Sequence, residues 1–231
     1  MNEIEFFSGT SVYDALKYMD MIYGRITAAQ EDWRHAAVST CPDGCGRCCV
    51  DFEPDLLESE ALYMAVWLYF NRRPVFDRLL ATENIQALRK NAGEHPDGCV
   101  FFDPDSPEHC TIYGGRALIC RLFGYSGDHD KNGALRWRPC RFIPDKLMNG
   151  IEHRTYTRPE LQKKFGVLPP DMTFFASEVL SIFPGKNGTQ LVRSALPAAV
   201  KKIYQLLSFI APPEPDHPFP TVPRTPGKSA A

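Results

Sequence analysis

The sequence lacks the features of an exported or membrane-spanning protein. Glu3 and Glu5 stand near the N-terminus, where a secretory signal needs positive charge, and no long apolar stretch follows them. The longest apolar runs, such as residues 209–211, are far shorter than the roughly 20 residues that span a bilayer. We therefore expect no export signal, no membrane association and a cytoplasmic location.

An excess of charge of one sign is also missing. The chain has 26 Lys and Arg against 28 Asp and Glu, and its net charge of -2 argues against a general polyanion binder. We expect no nucleic-acid partner. The sequence also lacks a Ser-His-Asp order, an HExxH motif, a phosphate loop and a dinucleotide fingerprint, so it leaves open whether the chain is an enzyme.

What the sequence does have is cysteine. A chain of 231 residues buries a core without covalent staples, so its eight cysteines are not needed to hold a small fold together. Reducing compartments disfavour structural disulfides and leave thiols available to bind metal. Metal binding is therefore the leading explanation for these residues.

Apolar residues recur at three- and four-residue steps along much of the chain, which is typical of helices with one buried face. Pro197 falls inside the last of these patterns and is expected to add a kink. The predicted helices cover residues 11–37, 55–70, 76–91, 116–123, 172–182 and 192–210.

Between these helices the sequence predicts irregular structure. Residues 99–102 and 110–113 favour strands and flank the turn-forming residues 103–107, which indicates one small β-hairpin, while residues 124–133 read as a surface loop. Seven prolines between residues 212 and 226 predict a disordered tail over residues 212–231. The predicted fold is mainly α: a single helical domain over residues 1–211, with an irregular cysteine-rich core at residues 41–143 covered by the N- and C-terminal helices.

The cysteines are the candidate metal ligands. The first four follow the spacing C-x3-C-x2-C-C, and Gly46 permits the backbone to bend around their sulfurs. All of them lie in one block of about a hundred residues. The eight candidate ligands are Cys41, Cys45, Cys48, Cys49, Cys99, Cys110, Cys120 and Cys140.

The spacing leaves the number of metal centres open. Cys48 and Cys49 are adjacent, and adjacent side chains diverge, so they are expected either to serve two neighbouring centres or to comprise one ligand and one buried thiol. Four thiolates leave a centre with a charge near -2, which nearby cations would stabilise. The candidate cations are Arg47, Arg116, Arg121, Arg138 and Arg141, each of which is equally compatible with an ordinary solvated side chain.

Four parts of the sequence resemble the CxxCxxCC cysteine-cluster family. They are the run from Cys45 to Cys49, the segments that begin at Cys99 and at Cys110, and Arg116 with Cys120-Arg121-Leu122-Phe123. This family is also called YkgJ-like and is associated with zinc or iron chelation. The resemblance covers about residues 41–143; it departs from the family pattern at Ala117, where proline is common, and in the first cysteine gap. It implies metal chelation and, for some members, iron-sulfur oxidoreductase activity.

Three functions compete at this point. The first is an iron-sulfur protein, with a [4Fe-4S] cluster favoured, that transfers electrons or supports a redox reaction. The second is a structural zinc module that presents a surface to a protein partner. The third is a thiol redox sensor that uses Cys48 and Cys49.

Overall fold

The structure is a computed structural model that describes residues 2–37, 45–82, 85, 98–148 and 150–210. Three predicted features lie outside the described residues: the candidate ligand Cys41, most of the last part of the helix predicted over residues 76–91, and the tail predicted to be disordered. The α-helices are α1 (Asn2–Glu5), α2 (Tyr13–Ala37), α3 (Glu58–Asn71), α4 (Arg73–Ala81), α5 (Leu118–Leu122), α6 (Arg158–Phe165), α7 (Met172–Ser181) and α8 (Val192–Ile210). The strands are β1 (Asp55–Leu56), β2 (Asp128–His129), β3 (Leu135–Trp137), β4 (Tyr156–Thr157) and β5 (Gln190–Leu191).

The mainly helical fold predicted from the sequence is confirmed. Helix α3 lies at the centre of the larger hydrophobic core, where nine of its fourteen residues are buried, and it packs along α8. Pro197 is accommodated inside α8, which continues to Ile210. None of the helices in the described ranges is both long and apolar enough to cross a membrane.

Helix α2 connects two hydrophobic clusters. Its first four turns bury Leu16, Met19 and Ile26 in the larger core, whereas Trp33 near its end belongs to a second, smaller cluster. In that cluster the rings of Trp33 and Trp137 meet edge to face, with centroids 5.1 Å apart. One long amphipathic helix thus contributes to both clusters, and cysteines pack against each of them.

The sheets are small and antiparallel. Strands β2, β3 and β4 form a three-stranded sheet, and β1 pairs with β5 at the start of α8. The segment predicted as a loop over residues 124–133 therefore contains β2, so this prediction was wrong in part. Strands of two or three residues are too short to show the alternation by which strands are recognised in a sequence.

The predicted hairpin at residues 99–113 is reduced to a single antiparallel bridge between Phe102 and Cys110. The amide of Thr111 donates to the carbonyl of Phe101 at 3.0 Å, and the amide of Asp103 donates to the carbonyl of His109 at 3.2 Å. The chain therefore reverses as predicted, but tight turns on both sides of the bridge stop the strands from extending. The reversal places Cys99 and Cys110 on the walls of one cavity.

Candidate metal centre

Five cysteines from four separate segments line one cavity. They are Cys48, Cys49, Cys99, Cys110 and Cys120. The cavity has a volume of about 40 Å³, and its other walls are apolar apart from Arg116. The convergence of thiols predicted from the sequence is thus present for these five residues.

Cys48 and Cys49 lie on a single turn of 3-10 helix, Arg47–Cys49, which brings their sulfurs to 3.9 Å from each other. Gly46 begins this turn with φ of 57°, in the left-handed region that favours glycine. A Cβ atom at Gly46 would collide with Cβ of His109. The glycine therefore permits both the turn and its close approach to the segment that carries Cys110.

Backbone hydrogen bonds connect the cysteine segments. The amide of Cys99 donates to the carbonyl of Cys49 at 3.1 Å. The amide of Ile112 donates to the sulfur of Cys110, an interaction that favours the thiolate form. The first bond joins the segments that carry Cys49 and Cys99, and the second orients Cys110 within its own segment.

Cys120 lies on α5, a helix of five residues that is held in place from two sides. The buried carboxylate of Glu60 accepts a hydrogen bond from the amide of Leu118 at 2.8 Å. Arg121 donates to the carbonyl of Arg116 at 3.0 Å and stacks on the ring of Tyr23. The contacts of α5 with Glu60 and Tyr23 were not predicted, because no local pattern signals a contact between residues that are so distant in the sequence.

The surroundings disfavour the ionised form of Cys49, Cys110 and Cys120 and favour that of Cys48. The hydrogen bond from Cys49 lowers the pKa of Cys48 to about 7, whereas that bond and burial raise the pKa of Cys49. Burial also raises the pKa of Cys110 and of Cys120. A bound cation would reverse this balance, because thiolates are the form that ligates metal.

Arg116 is the one charged side chain among the described residues that line the cavity. Its guanidinium lies 3.5 Å from the ring centroid of Tyr113. Its Nε is buried and has no hydrogen-bond partner within the described ranges. The other candidate cations have different environments. Arg121 donates hydrogen bonds to backbone carbonyls, whereas Arg47, Arg138 and Arg141 are exposed.

The remaining described cysteines, Cys45 and Cys140, do not line the cavity, although Cys140 lies near Cys48. Cys140 packs against the smaller hydrophobic cluster, where burial raises its pKa and the neighbouring Cys45 and Cys48 raise it further. Cys45 is half-buried at the start of the 3-10 turn, and Cys41 is outside the described residues. In the part of the chain that the structure describes, no three His, Cys, Asp or Glu side chains are spaced to hold a single ion.

The acidic residue four positions after Cys49 has a structural contact. Glu53 is buried, accepts a hydrogen bond from the amide of Arg193 at 2.7 Å and forms an ion pair with its guanidinium. It thereby attaches the segment that follows Cys49 to the start of α8. His109, which adjoins Cys110, packs against Gly46 and stacks on Phe102.

Two aromatic side chains stand at the surface side of the cavity. Phe52 and Phe123 line it, yet they are 42% and 38% exposed. Their rings are stacked with centroids 6.5 Å apart. No local pattern predicts this pairing, because it joins the segment after Cys49 to the segment after α5.

Comparison with known proteins gives one match. Residues 40–141 match the family model CxxCxxCC, described as "Putative zinc- or iron-chelating domain". The matched segment includes all eight cysteines and agrees with the resemblance found in the sequence; the model does not carry the YkgJ-like name. No curated protein and no solved structure gave a significant match.

Proposed function

Since residues 40–141 match the CxxCxxCC family, we propose that the chain is a metal-binding protein whose cavity cysteines hold an iron-sulfur cluster used in electron transfer or a redox reaction. One observation carries the proposal. Five thiols from four separate segments line one cavity, and its described lining contains no His, Asp or Glu. Thiols carried by separate segments can bind the different iron atoms of a cluster.

The donor set fits such a centre. Every ligand candidate in the cavity is a thiol, and cysteine thiolates are the usual ligands of iron-sulfur clusters. The apolar walls exclude water, and Arg116 supplies one compensating positive charge. When bound, the cluster would supply a one-electron couple, while the chain supplies the ligands, the low-dielectric walls and the two aromatic rings, Phe52 and Phe123, at the surface side.

A single zinc ion is the second candidate, and the distance between Cys48 and Cys49 favours it. With Zn–S bonds of about 2.3 Å, the sulfurs of a tetrahedral site lie about 3.8 Å apart. The observed separation is 3.9 Å, closer than adjacent cysteines were expected to come. In this alternative the cavity is a structural zinc module, and the surface around it is presented to a protein partner.

Metal analysis of the anaerobically purified protein separates the two candidates. The iron-sulfur proposal predicts iron and acid-labile sulfide in comparable amounts and a brown colour that is lost on oxidation. Stoichiometric zinc without sulfide would establish the alternative instead. If neither metal is present, and none binds after anaerobic reconstitution with iron and sulfide or with zinc, both candidates are rejected.

Serine variants then test the assignment of ligands. Cys99→Ser, Cys110→Ser and Cys120→Ser are each expected to lose metal, because all three side chains line the cavity. If both Cys48→Ser and Cys49→Ser lose metal completely, the two thiols share a centre. Retention in one of them would show that a single member of the pair is a ligand.

A further inference from the structure

Arg116 occupies an unusual electrostatic position. It is the single charged residue among the described residues that line a cavity of thiols and apolar side chains. Its Nε–H group is buried and has no hydrogen-bond partner in the described part of the chain. Buried donors are nearly always paired, so one without a partner requires an explanation such as a ligand that the group receives.

The guanidinium is held firmly. It lies over the ring of Tyr113, 3.5 Å from the ring centroid, which stabilises the cation. The backbone of Arg116 is also fixed, since its carbonyl accepts a hydrogen bond from Nε of Arg121 and its amide contacts the carbonyl of Tyr113. Arg116 therefore directs a fixed charge at the cavity, whereas a solvated arginine would move freely.

A thiolate centre needs such a charge. Four thiolates around Zn²⁺ or around a [4Fe-4S]²⁺ cluster leave a net charge near -2. The apolar walls do not stabilise that charge. Among the cavity cysteines, Arg116 acts on Cys48, Cys110 and Cys120, each of whose ionised forms it favours.

We propose that Arg116 is the charge partner of the metal centre: its Nε–H group donates a hydrogen bond to a ligand sulfur and its cation offsets the charge of the thiolates. This inference rests on the proposed function, since it requires a bound metal. Arg116 is a positioning residue on this account and makes no bond to the metal. It raises the affinity for metal and, for an iron-sulfur cluster, it raises the reduction potential by stabilising the more negative reduced state.

The experiment compares three purified full-length proteins with the wild type: Arg116→Gln, Arg116→Lys and Arg47→Gln. Arg47 is the matched control, because it lies between Cys45 and Cys48 in the sequence but its side chain is exposed and outside the cavity. Each protein is loaded anaerobically with the metal found in the wild type. Metal affinity is measured by competition with a chromophoric chelator, and the potential of an iron-sulfur cluster is measured by redox titration.

We expect Arg116→Gln to bind metal about 10–100-fold more weakly, the usual effect of removing a hydrogen-bonding partner of a metal ligand. Any cluster it holds should have a lower reduction potential. Arg116→Lys restores charge but not the planar Nε–H donor, so it should lie between Gln and the wild type. Arg47→Gln should match the wild type in both measurements.

The outcomes separate this inference from the proposed function. If the wild type binds no metal, the proposed function itself fails. If the wild type binds metal and Arg116→Gln retains its affinity and potential, the role of Arg116 is rejected. Arg116→Gln would also bind metal more weakly if the substitution only made the protein less stable. In that case its melting temperature also falls and Arg116→Lys restores neither metal affinity nor potential. Such a result would show that Arg116 only supports the fold, and the inference would be overturned.

Discussion

The carboxylate of Glu60 and the amide of Leu118 are joined by a buried hydrogen bond of 2.8 Å. The other oxygen of Glu60 accepts from the amide of Leu57 at 3.0 Å, so one side chain caps its own helix α3 and also holds the first residue of α5. Helix α5 carries Cys120, whose side chain lines the cavity. The position of one candidate ligand thus depends on a carboxylate in the central helix.

We predict that Glu60→Gln destabilises the protein. A glutamine offers one acceptor and one NH₂ group to two backbone N–H donors, so one buried donor is left unpaired at a cost of about 1–3 kcal/mol. Urea unfolding of the metal-free protein measures the loss. Glu58→Gln is the control: Glu58 occupies the same helical turn but pairs with Lys186 and Lys202 at the surface, where the loss should stay below about 1 kcal/mol. Equal losses in the two variants would show that the bond to Leu118 has no special importance.

Glu60 also predicts a pH dependence. Burial raises the pKa of its carboxyl above the ordinary value of 4.5, so the folded state holds this proton more tightly than the unfolded state does. The contribution of the protonated Glu60 carboxyl to the free energy of unfolding is fully present below pH 4.5. It is lost as the pH rises through the folded-state pKa. The advantage of the wild type over Glu60→Gln in the free energy of unfolding should therefore shrink as the pH rises. A difference that stays constant or grows would contradict the raised pKa.

The sequence predicted the parts of the fold that have a local periodic signal. Helices α2, α3, α7 and α8 were found because each presents a regular apolar face. Helix α6 was missed, since it buries one residue, Leu161, and has no apolar stripe.

Prediction of the site was limited in the same way. Cysteine identity marked the candidate ligands, and five of them do line one cavity. Which thiols share the cavity depends on contacts between distant segments, such as the bond from Cys99 to Cys49, and on a 3-10 turn that brings Cys48 close to Cys49. Neither the selection of Arg116 among five arginines nor the role of Glu60 is encoded in a local pattern.

Gly46→Ala should damage the cysteine loop. The left-handed backbone of Gly46 penalises any side chain by about 1–2 kcal/mol, and the added methyl group would also collide with His109. We expect a loss larger than the backbone penalty alone, measured by urea unfolding, together with reduced metal content.

Two other glycines separate the two causes. Gly133→Ala has a similar positive φ but open space around it, so it should show the backbone penalty only. Gly24→Ala, inside α2 with nothing within 4 Å, should stabilise the protein by about 0.5–1 kcal/mol. If Gly46→Ala loses no more than Gly133→Ala, the contact with His109 does not restrict this position.

The stacked rings of Phe52 and Phe123 give a last prediction, which concerns the rate of metal loss. Both rings line the thiol cavity and both are partly exposed, so they stand between the ligands and the solvent. Removing either ring in Phe52→Ala or Phe123→Ala should let a chelator extract metal severalfold faster, while the cavity cysteines remain in place. Phe174→Ala is the matched control, because Phe174 is 44% exposed on α7 and does not line the cavity. The measurement is the time course of metal transfer to a chromophoric chelator.

Because the rings cover the centre without binding it, the change should appear in the rate and leave the amount of metal in freshly loaded protein unaltered. A variant that loads less metal but releases it at the wild-type rate would show that the rings support the ligands and do not shield them.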